Sequence, residues 1–261
     1  MVLDYKGISI YYSQEGNGKT VVLLHGFLES STIWNDLTSE IFKSHQVVTI
    51  DLLGHGKTGC LGYIHTMEQM AEAVEAVLGH LKIKNATFIG HSMGGYVALA
   101  YAEKHPEKVN GLCLMNSTAL DDSPEKKQNR DRAIVAVKQN HKTFIRVAVA
   151  NLFRPKNRTI FSNEIKQLKD EALQFPVQGI IAALEGMKIR KNRVELFRKA
   201  DYKKMMIISK KDPALQYETL IDQTKNSDIE VIEFSDGHIS FIENKEENTY
   251  KIMHYIEKIY R

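Results

Sequence analysis

The chain has 261 residues, of which 43% are hydrophobic and 26% charged, with 16 glycines and only 5 prolines. That balance excludes disordered and collagen-like chains. Its 35 Lys and Arg against 32 Asp and Glu leave a net charge of +3, too small to mark a nucleic-acid partner unless the cations gather on one face. There is no apolar run of about 18 residues, and Met1-Val2-Leu3-Asp4-Tyr5-Lys6 lacks the basic start and apolar stretch of an export signal. A cytoplasmic protein with no membrane contact is therefore expected. Chains of about 200–250 residues commonly fold as one α/β domain, and one domain carrying an insertion is the expectation here. Cys60 and Cys113 have no C-x-x-C neighbour, so neither a disulfide framework nor a zinc site is indicated. Cys113, within Gly111–Met115, reads as a small buried apolar residue.

In chain order, Ile8–Tyr12, Val21–Leu24 and Val47–Ile50 are the first short apolar runs bounded by turn residues. Apolar residues on consecutive positions suit strands covered on both faces of a largely parallel sheet. Met67, Met70, Ala71, Val74, Val77, Leu78 and Leu81 then recur at helical spacing, with Thr66 placed to cap the first turn. A strand at Ala86–Ile89 is followed by a helix at Gly95–Glu103, ended near Pro106, and by a strand at Gly111–Met115. Met205–Ile208 and Ile229–Phe234 read as later strands, and Asn248–Ile259 as a closing helix with Ile252, Tyr255, Ile256 and Ile259 on one side. Alternating strands and helices predict an α/β architecture with right-handed crossovers.

The alternation breaks between Ser117 and Lys199. Helical periodicity there predicts helices over Asp131–Gln139, Lys142–Leu152, Asn163–Leu173 and Gly179–Met187, with no strand. This segment holds 18 Lys and Arg against 9 Asp and Glu, a net +9, which leaves −6 for the remainder. Residues 1–116 and 200–261 are thus expected to form an acidic α/β core and residues 117–199 a basic helical insertion. Such an excess is ordinarily a solvated helix surface. Where part of it faces a pocket, it favours an anionic substrate.

The strongest chemical signal is Gly90-His91-Ser92-Met93-Gly94, a G-x-S-x-G between the strand Ala86–Ile89 and the following helix. A serine in that tight turn has an exposed hydroxyl, and glycines on either side keep side chains off the neighbouring backbone. A hydroxyl is a weak nucleophile at neutral pH and needs a base, which a third group orients. His238 follows the strand Ile229–Phe234, and Asp212 follows Met205–Ile208, so both belong at the C-terminal edge of the sheet where ligands gather. The order Ser92, Asp212, His238 is the one this fold uses. Asp236, two residues from His238, is poorly placed to reach its ring. Donors for a developing oxyanion are the backbone N–H of Met93 and that of Phe27, in Leu24-His25-Gly26-Phe27.

With these elements the chain resembles the α/β-hydrolase superfamily, in particular its lid-bearing, esterase-like members. The resemblance covers all but the insertion: His25-Gly26-Phe27, Asp51-Leu52-Leu53-Gly54-His55-Gly56, the turn at Gly90–Gly95, Asp212-Pro213, and Gly237-His238 followed by Glu243. It implies a mostly parallel, eight-stranded sheet flanked by helices, a helical cap inserted after the sixth strand, and no metal or organic cofactor. The sequence departs from the family at Leu53, where relatives often carry Arg or Pro, and in a short N-terminus, so the first antiparallel strand is expected to be missing or minimal. Ser92 argues against the epoxide hydrolases and haloalkane dehalogenases, which use Asp at that turn. His91 argues against the carbon–carbon bond hydrolases, which often carry Asn there. Tyr96 stands where the menaquinone-pathway lyase commonly has Arg.

The resulting expectation is a serine hydrolase, monomeric or homodimeric, that cleaves a small-to-medium carboxylic ester through an acyl-enzyme. Its only partner is expected to be the small-molecule substrate. Alternatives are a lyase or thioesterase of the same fold acting on an anionic substrate, and a ligand-sensing receptor that retains the triad. His25, His55 and His91 are read as structural partners near the site, and Trp34 as buried against the sheet. Phe144, Phe153, Phe161 and Phe175 are read as packing of the insertion, with one or two facing the pocket.

Overall fold

The computed structural model of the chain describes all 261 residues. The chain opens with a hairpin of β1 (Val2–Tyr5) and β2 (Ile8–Glu15), turned through Lys6 and Gly7, both at positive φ. The first strand is thus present, though only four residues long. The second outlasts its apolar part because Ser13, Gln14 and Glu15 continue the antiparallel ladder to Thr49, Val48 and Val47. There follow β3 (Thr20–Leu24), α1 (Asn35–Ile41), β4 (Gln46–Ile50), α2 (Met67–His80), β5 (Ala86–His91), α3 (Met93–Lys104) and β6 (Val109–Met115). Thr66 caps α2 as expected: its hydroxyl accepts from Gln69 N–H, and the Gln69 side chain accepts from Thr66 N–H.

Four helices separate β6 from the next strand: α4 (Pro124–Leu152), α5 (Ser162–Ala172), α6 (Val177–Lys188) and α7 (Val194–Lys199). The chain closes with β7 (Lys203–Ser209), α8 (Tyr217–Thr224), β8 (Glu230–Phe234), α9 (Ser240–Glu243) and α10 (Lys245–Tyr260). The sheet order is β1-β2-β4-β3-β5-β6-β7-β8, antiparallel at β1/β2 and β2/β4 and parallel elsewhere. Every residue of β3 and β5 is buried, as expected for strands covered on both faces. Alternate residues split the core between those faces. Val22, Leu24, Phe88 and Leu112 pack toward α2 and α3, while Val21, Leu23, Ile89 and Cys113 pack toward Trp34, Ile41 and α10. Cys60 and Cys113 are free thiols. No helix is long and apolar enough to cross a membrane.

The predicted gap between two insertion helices falls on Asn140, which leaves helical geometry inside α4, while its side chain accepts from Thr143 N–H at 3.0 Å. The asparagine caps the second half and so breaks the first. Contrary to expectation, the first half starts at Pro124. Pro124–Arg130 has no apolar periodicity, but Ser123 caps it and Pro124 occupies its first turn, where a missing N–H costs nothing. The six-residue α7 and eight-residue α8 are too short to leave a periodic signal.

Helix α6 lies directly on the loop that follows β4. The Gly54 backbone occupies the space a Cβ on Gly179 would take, the His65 carbonyl does the same at Gly186, and His65 N–H donates to Ala182 O at 2.9 Å. Alanine at 186 would gain about 1 kcal/mol of helix propensity, whereas overpacking against rigid backbone costs about 1–3 kcal/mol. Gly186→Ala should therefore lower the urea midpoint of unfolding with an unchanged slope. An equal or higher midpoint would show that this contact is not tight.

Candidate active site

Ser92 sits between β5 and α3 at φ 48° and ψ −114°, a strained conformation for a residue with a side chain. Neighbouring contacts fix it. A Cβ on Gly90 would lie 2.5 Å from the Gly94 backbone, and one on Gly94 would meet the Leu24 carbonyl. Ser92 N–H donates to Met115 O at 3.0 Å, and the Ser117 hydroxyl donates to Ser92 O at 2.7 Å. The backbone is held from both sides, while the Ser92 hydroxyl makes no hydrogen bond within the protein and lines a cavity.

His238 lines the same cavity. Its Nδ1 lies 2.7 Å from Asp212 Oδ2, and its own N–H is anchored to Leu152 O at 2.9 Å. The Asp212 carboxylate also accepts from Ala214 N–H at 2.8 Å, Leu215 N–H at 3.0 Å and the Asn116 amide at 3.3 Å. Burial opposes the charge on Asp212, but His238 and these donors outweigh it and hold the carboxyl below its ordinary pKa. Burial likewise opposes the imidazolium, and Asp212 outweighs it, so the His238 pKa is raised above 6.5. Asp236 is occupied elsewhere, by Arg154 Nη1 and Asn157 Nδ2 at 3.1 Å each and Asn244 Nδ2 at 3.2 Å.

The backbone N–H groups of Phe27 and Met93 make no hydrogen bond within the protein. Met93 begins α3, where an amide has no intrahelical acceptor. The Phe27 turn is held by an unexpected residue, the buried Glu29. Its Oε2 accepts from Gly26 N–H at 2.6 Å and lies 2.8 Å from His91 Nδ1, and His91 Nε2 lies 3.1 Å from the His238 carbonyl. Burial would raise the Glu29 pKa, but His91 and the Gly26 N–H outweigh it and hold the carboxyl low. Asn116, at φ 44° after β6, is the second residue missed. It donates to Ser209 Oγ at 2.8 Å as well as to Asp212, and accepts from Ser240 Oγ at 2.6 Å. An asparagine ending an apolar run, where left-handed backbone is common for that residue type, is the signal that could have found it.

The cavity measures about 350 Å³, and 11 of its 17 lining residues are hydrophobic. Phe27, Phe144, Leu152, Leu184 and Met187 form much of the wall. Of Phe144, Phe153, Phe161 and Phe175 only Phe144 reaches it; Phe153 is fully buried, and Phe175 stacks edge-on with His55. Trp34 is fully buried on the opposite face of the sheet. A larger, polar groove of about 560 Å³ on Tyr11, Thr32, Asp51 and Glu171 holds none of Ser92, Asp212 and His238. No three His, Cys, Asp or Glu side chains converge as a metal site would require.

Sheet order, the strained serine turn and the cavity at the C-terminal strand edge define an α/β-hydrolase fold. A family model described as alpha/beta hydrolase fold matches residues 19–245, and the chain belongs to that family. It is 32% identical over 122 residues to a cis-3-alkyl-4-alkyloxetan-2-one decarboxylase of Shewanella oneidensis, a stretch covering 45% of this chain and 38% of that protein. It is 32% identical over 114 residues to a putative non-heme haloperoxidase of Mycobacterium phage D29, covering 43% and 41%. The chain spans less than half the length of these curated relatives. Among solved structures, a thermophilic esterase of Thermogutta terrifontis superposes with a TM-score of 0.89 at 27% identity, covering 100% of this chain and 97% of that one.

The site's histidines divide by environment. His25 accepts from Leu52 N–H at 2.8 Å through Nε2 and is lowered by burial; burial pushes His55 down to about 3 and His65 to about 4. In an NMR titration over about pH 5–8, His55 and His65 should stay neutral while His238 titrates above 6.5. A His238 midpoint below that of an exposed histidine would mean that Asp212 does not outweigh burial.

Proposed function

We propose that the protein is a serine hydrolase that cleaves a small-to-medium carboxylic ester through an acyl-enzyme. The observation that carries this reading is the 2.7 Å contact between His238 Nδ1 and Asp212, with His238 and the unpartnered Ser92 hydroxyl on one apolar cavity. His238 Nε2 takes the Ser92 proton as Oγ attacks the ester carbonyl. The N–H groups of Phe27 and Met93 donate to the resulting oxyanion. The tetrahedral intermediate collapses, the carbonyl–alkoxy bond breaks, and the imidazolium returns its proton to the leaving alcohol. Water, deprotonated by His238, then attacks the acyl-serine; the acyl–Oγ bond breaks, the imidazolium returns its proton to Ser92 Oγ, and the acid is released. Asp212 keeps Nδ1 protonated and stabilises the imidazolium.

In this reading residues 117–199 act as a cap on a core of residues 1–116 and 200–261, since α4 and α6 supply Phe144, Leu152, Leu184 and Met187 to the cavity wall. The similarity to the Thermogutta terrifontis esterase supports ester chemistry. The substrate is a small molecule, and the reaction takes place in the cytoplasm without metal or cofactor.

A fluorophosphonate probe should label Ser92 alone, and Ser92→Ala should abolish labelling and cut turnover of 4-nitrophenyl butyrate by about 10³-fold or more with the fold intact. Labelling of another serine, or near-normal turnover by the variant, would overturn the assignment. Labelling without steady turnover of any ester would favour the receptor reading.

Two further outcomes follow from the His238–Asp212 pair. Because the imidazole must be neutral to accept a proton and its pKa is raised, kcat/KM should climb with pH through an apparent pKa above 6.5. Asp212→Asn should lower kcat by about 10³–10⁴-fold by favouring the wrong tautomer, whereas Asp236→Asn should have a small effect. The reverse ranking of the two variants would make Asp236 the orienting acid.

A further inference from the structure

Apart from Glu29, Ser92 and His238, the polar residues of the cavity wall are Lys126, Asn129 and Arg130, all from the first turns of α4. Arg130 Nε and Arg190 Nη1 each lie 2.6 Å from an oxygen of the buried Asp122. One carboxylate thus serves two guanidiniums, and the cluster is already cationic before Lys126 is counted. Lys126 Nζ has no carboxylate partner, and no hydrogen bond within the protein uses it. The cavity's own acidic residue, Glu29, is committed to His91 and Gly26 N–H, and Asp212 behind His238 is committed to the imidazole. Asp122 therefore offsets only part of the positive charge at this place in the cavity wall.

A half-buried ammonium without a counter-ion is unfavourable. Burial, followed by the charges of Arg190 and Arg130, pushes the Lys126 pKa down, with only partial relief from Asp122 and Asp212. A lysine with a purely solvated role would carry its charge outward along the helix surface, yet this one shares a wall with Ser92 and His238. The same wall carries Tyr96, Ala133, Phe144, Leu184 and Met187, which would surround a hydrocarbon segment.

We propose that the substrate carries a carboxylate that Lys126 binds at the α4 end of the cavity, joined by a short aliphatic chain to the ester carbonyl at Ser92. The substrate class is then the half-ester of an aliphatic dicarboxylic acid. This rests on the serine-hydrolase reading above and adds to it the charge of the acyl group.

The test compares mono-4-nitrophenyl adipate with methyl 4-nitrophenyl adipate, which differ only in whether the far end is anionic, after subtraction of spontaneous hydrolysis. The wild type should prefer the anionic ester in kcat/KM by about tenfold or more, the size of one charge-assisted hydrogen bond, mainly through KM. Lys126→Met should lower that ratio by about tenfold, Lys126→Glu should invert it, and Lys126→Arg should preserve it. A ratio near one in the wild type, or a ratio that Lys126→Met leaves untouched, overturns the proposal. If neither ester is turned over, the hydrolase reading fails by itself. Lys126 is then judged by an NMR titration of wild type and Lys126→Met with monomethyl adipate, where equal affinity overturns the proposal and weaker binding by the variant supports it.

Discussion

The site depends on one backbone constraint, the strained turn at Ser92. A residue with a side chain is held at φ 48° between a buried strand and a buried helix, and its surroundings must over-determine that conformation. The parallel ladder supplies one anchor through Met115 O, and Ser117 Oγ supplies another through Ser92 O. Gly90 and Gly94 let α3 approach β3 and β5 closely enough for both anchors to act. The same geometry leaves Met93 N–H without an acceptor and keeps the Ser92 hydroxyl free, so both groups that the proposed chemistry needs come from a single packing solution.

A second constraint ties the remaining pieces together. Gly26 N–H, Glu29, His91 and the His238 carbonyl form one buried chain of hydrogen bonds, joining the Phe27 turn to the loop that carries the imidazole. Removing one partner from a buried hydrogen bond leaves the other without a partner, which typically costs about 1–3 kcal/mol. The two loops therefore cannot move independently without breaking that chain. On the far side of His238, Glu243 accepts from Gly237 N–H at 2.9 Å and Arg154 N–H at 3.0 Å, and so fastens the His238 loop to the end of α4. Burial raises the Glu243 pKa despite these donors.

How much of this was legible in the sequence depended on how local the signal was. Ser92 announced itself through glycines two positions away on each side, and Asp212 and His238 through the strands just before them. The gap between the two insertion helices was legible because Asn140 acts on its own neighbour, Thr143. Glu29 was not legible: its partner His91 lies 62 positions along the chain, and only the pairing of β3 with β5 brings them together. Asn116 was hidden for the same reason, since its partner Asp212 is 96 positions away. The start of α4 had no apolar face to reveal it, so the place of Lys126 in the cavity wall could not be read from periodicity.

The uneven charge of the chain has a structural use beyond solvation. Arg193 Nη2, nearly buried, lies 2.7 Å from both Glu68 on α2 and Glu103 on α3, and Arg154 is paired with Asp236. Cations of the helical segment are thus matched to anions of the sheet layer, which accounts for opposite signs on the two parts better than a uniformly solvated surface does. Isolated exposed pairs contribute about 0–1 kcal/mol each, so the weight rests on Arg193 and on the Arg130–Asp122–Arg190 cluster, where the guanidiniums or their partner are buried. The Arg193 pairs fasten the start of α7 to α2 and α3, whereas the Asp122 cluster joins the first turns of α4 to the end of α6 within the helical segment. Lys126 is the cation in the cavity wall that remains without a partner, beside two arginines that share one carboxylate, so the excess that bears on the proposed substrate is about two charges at a fixed place rather than the whole +9 of the segment.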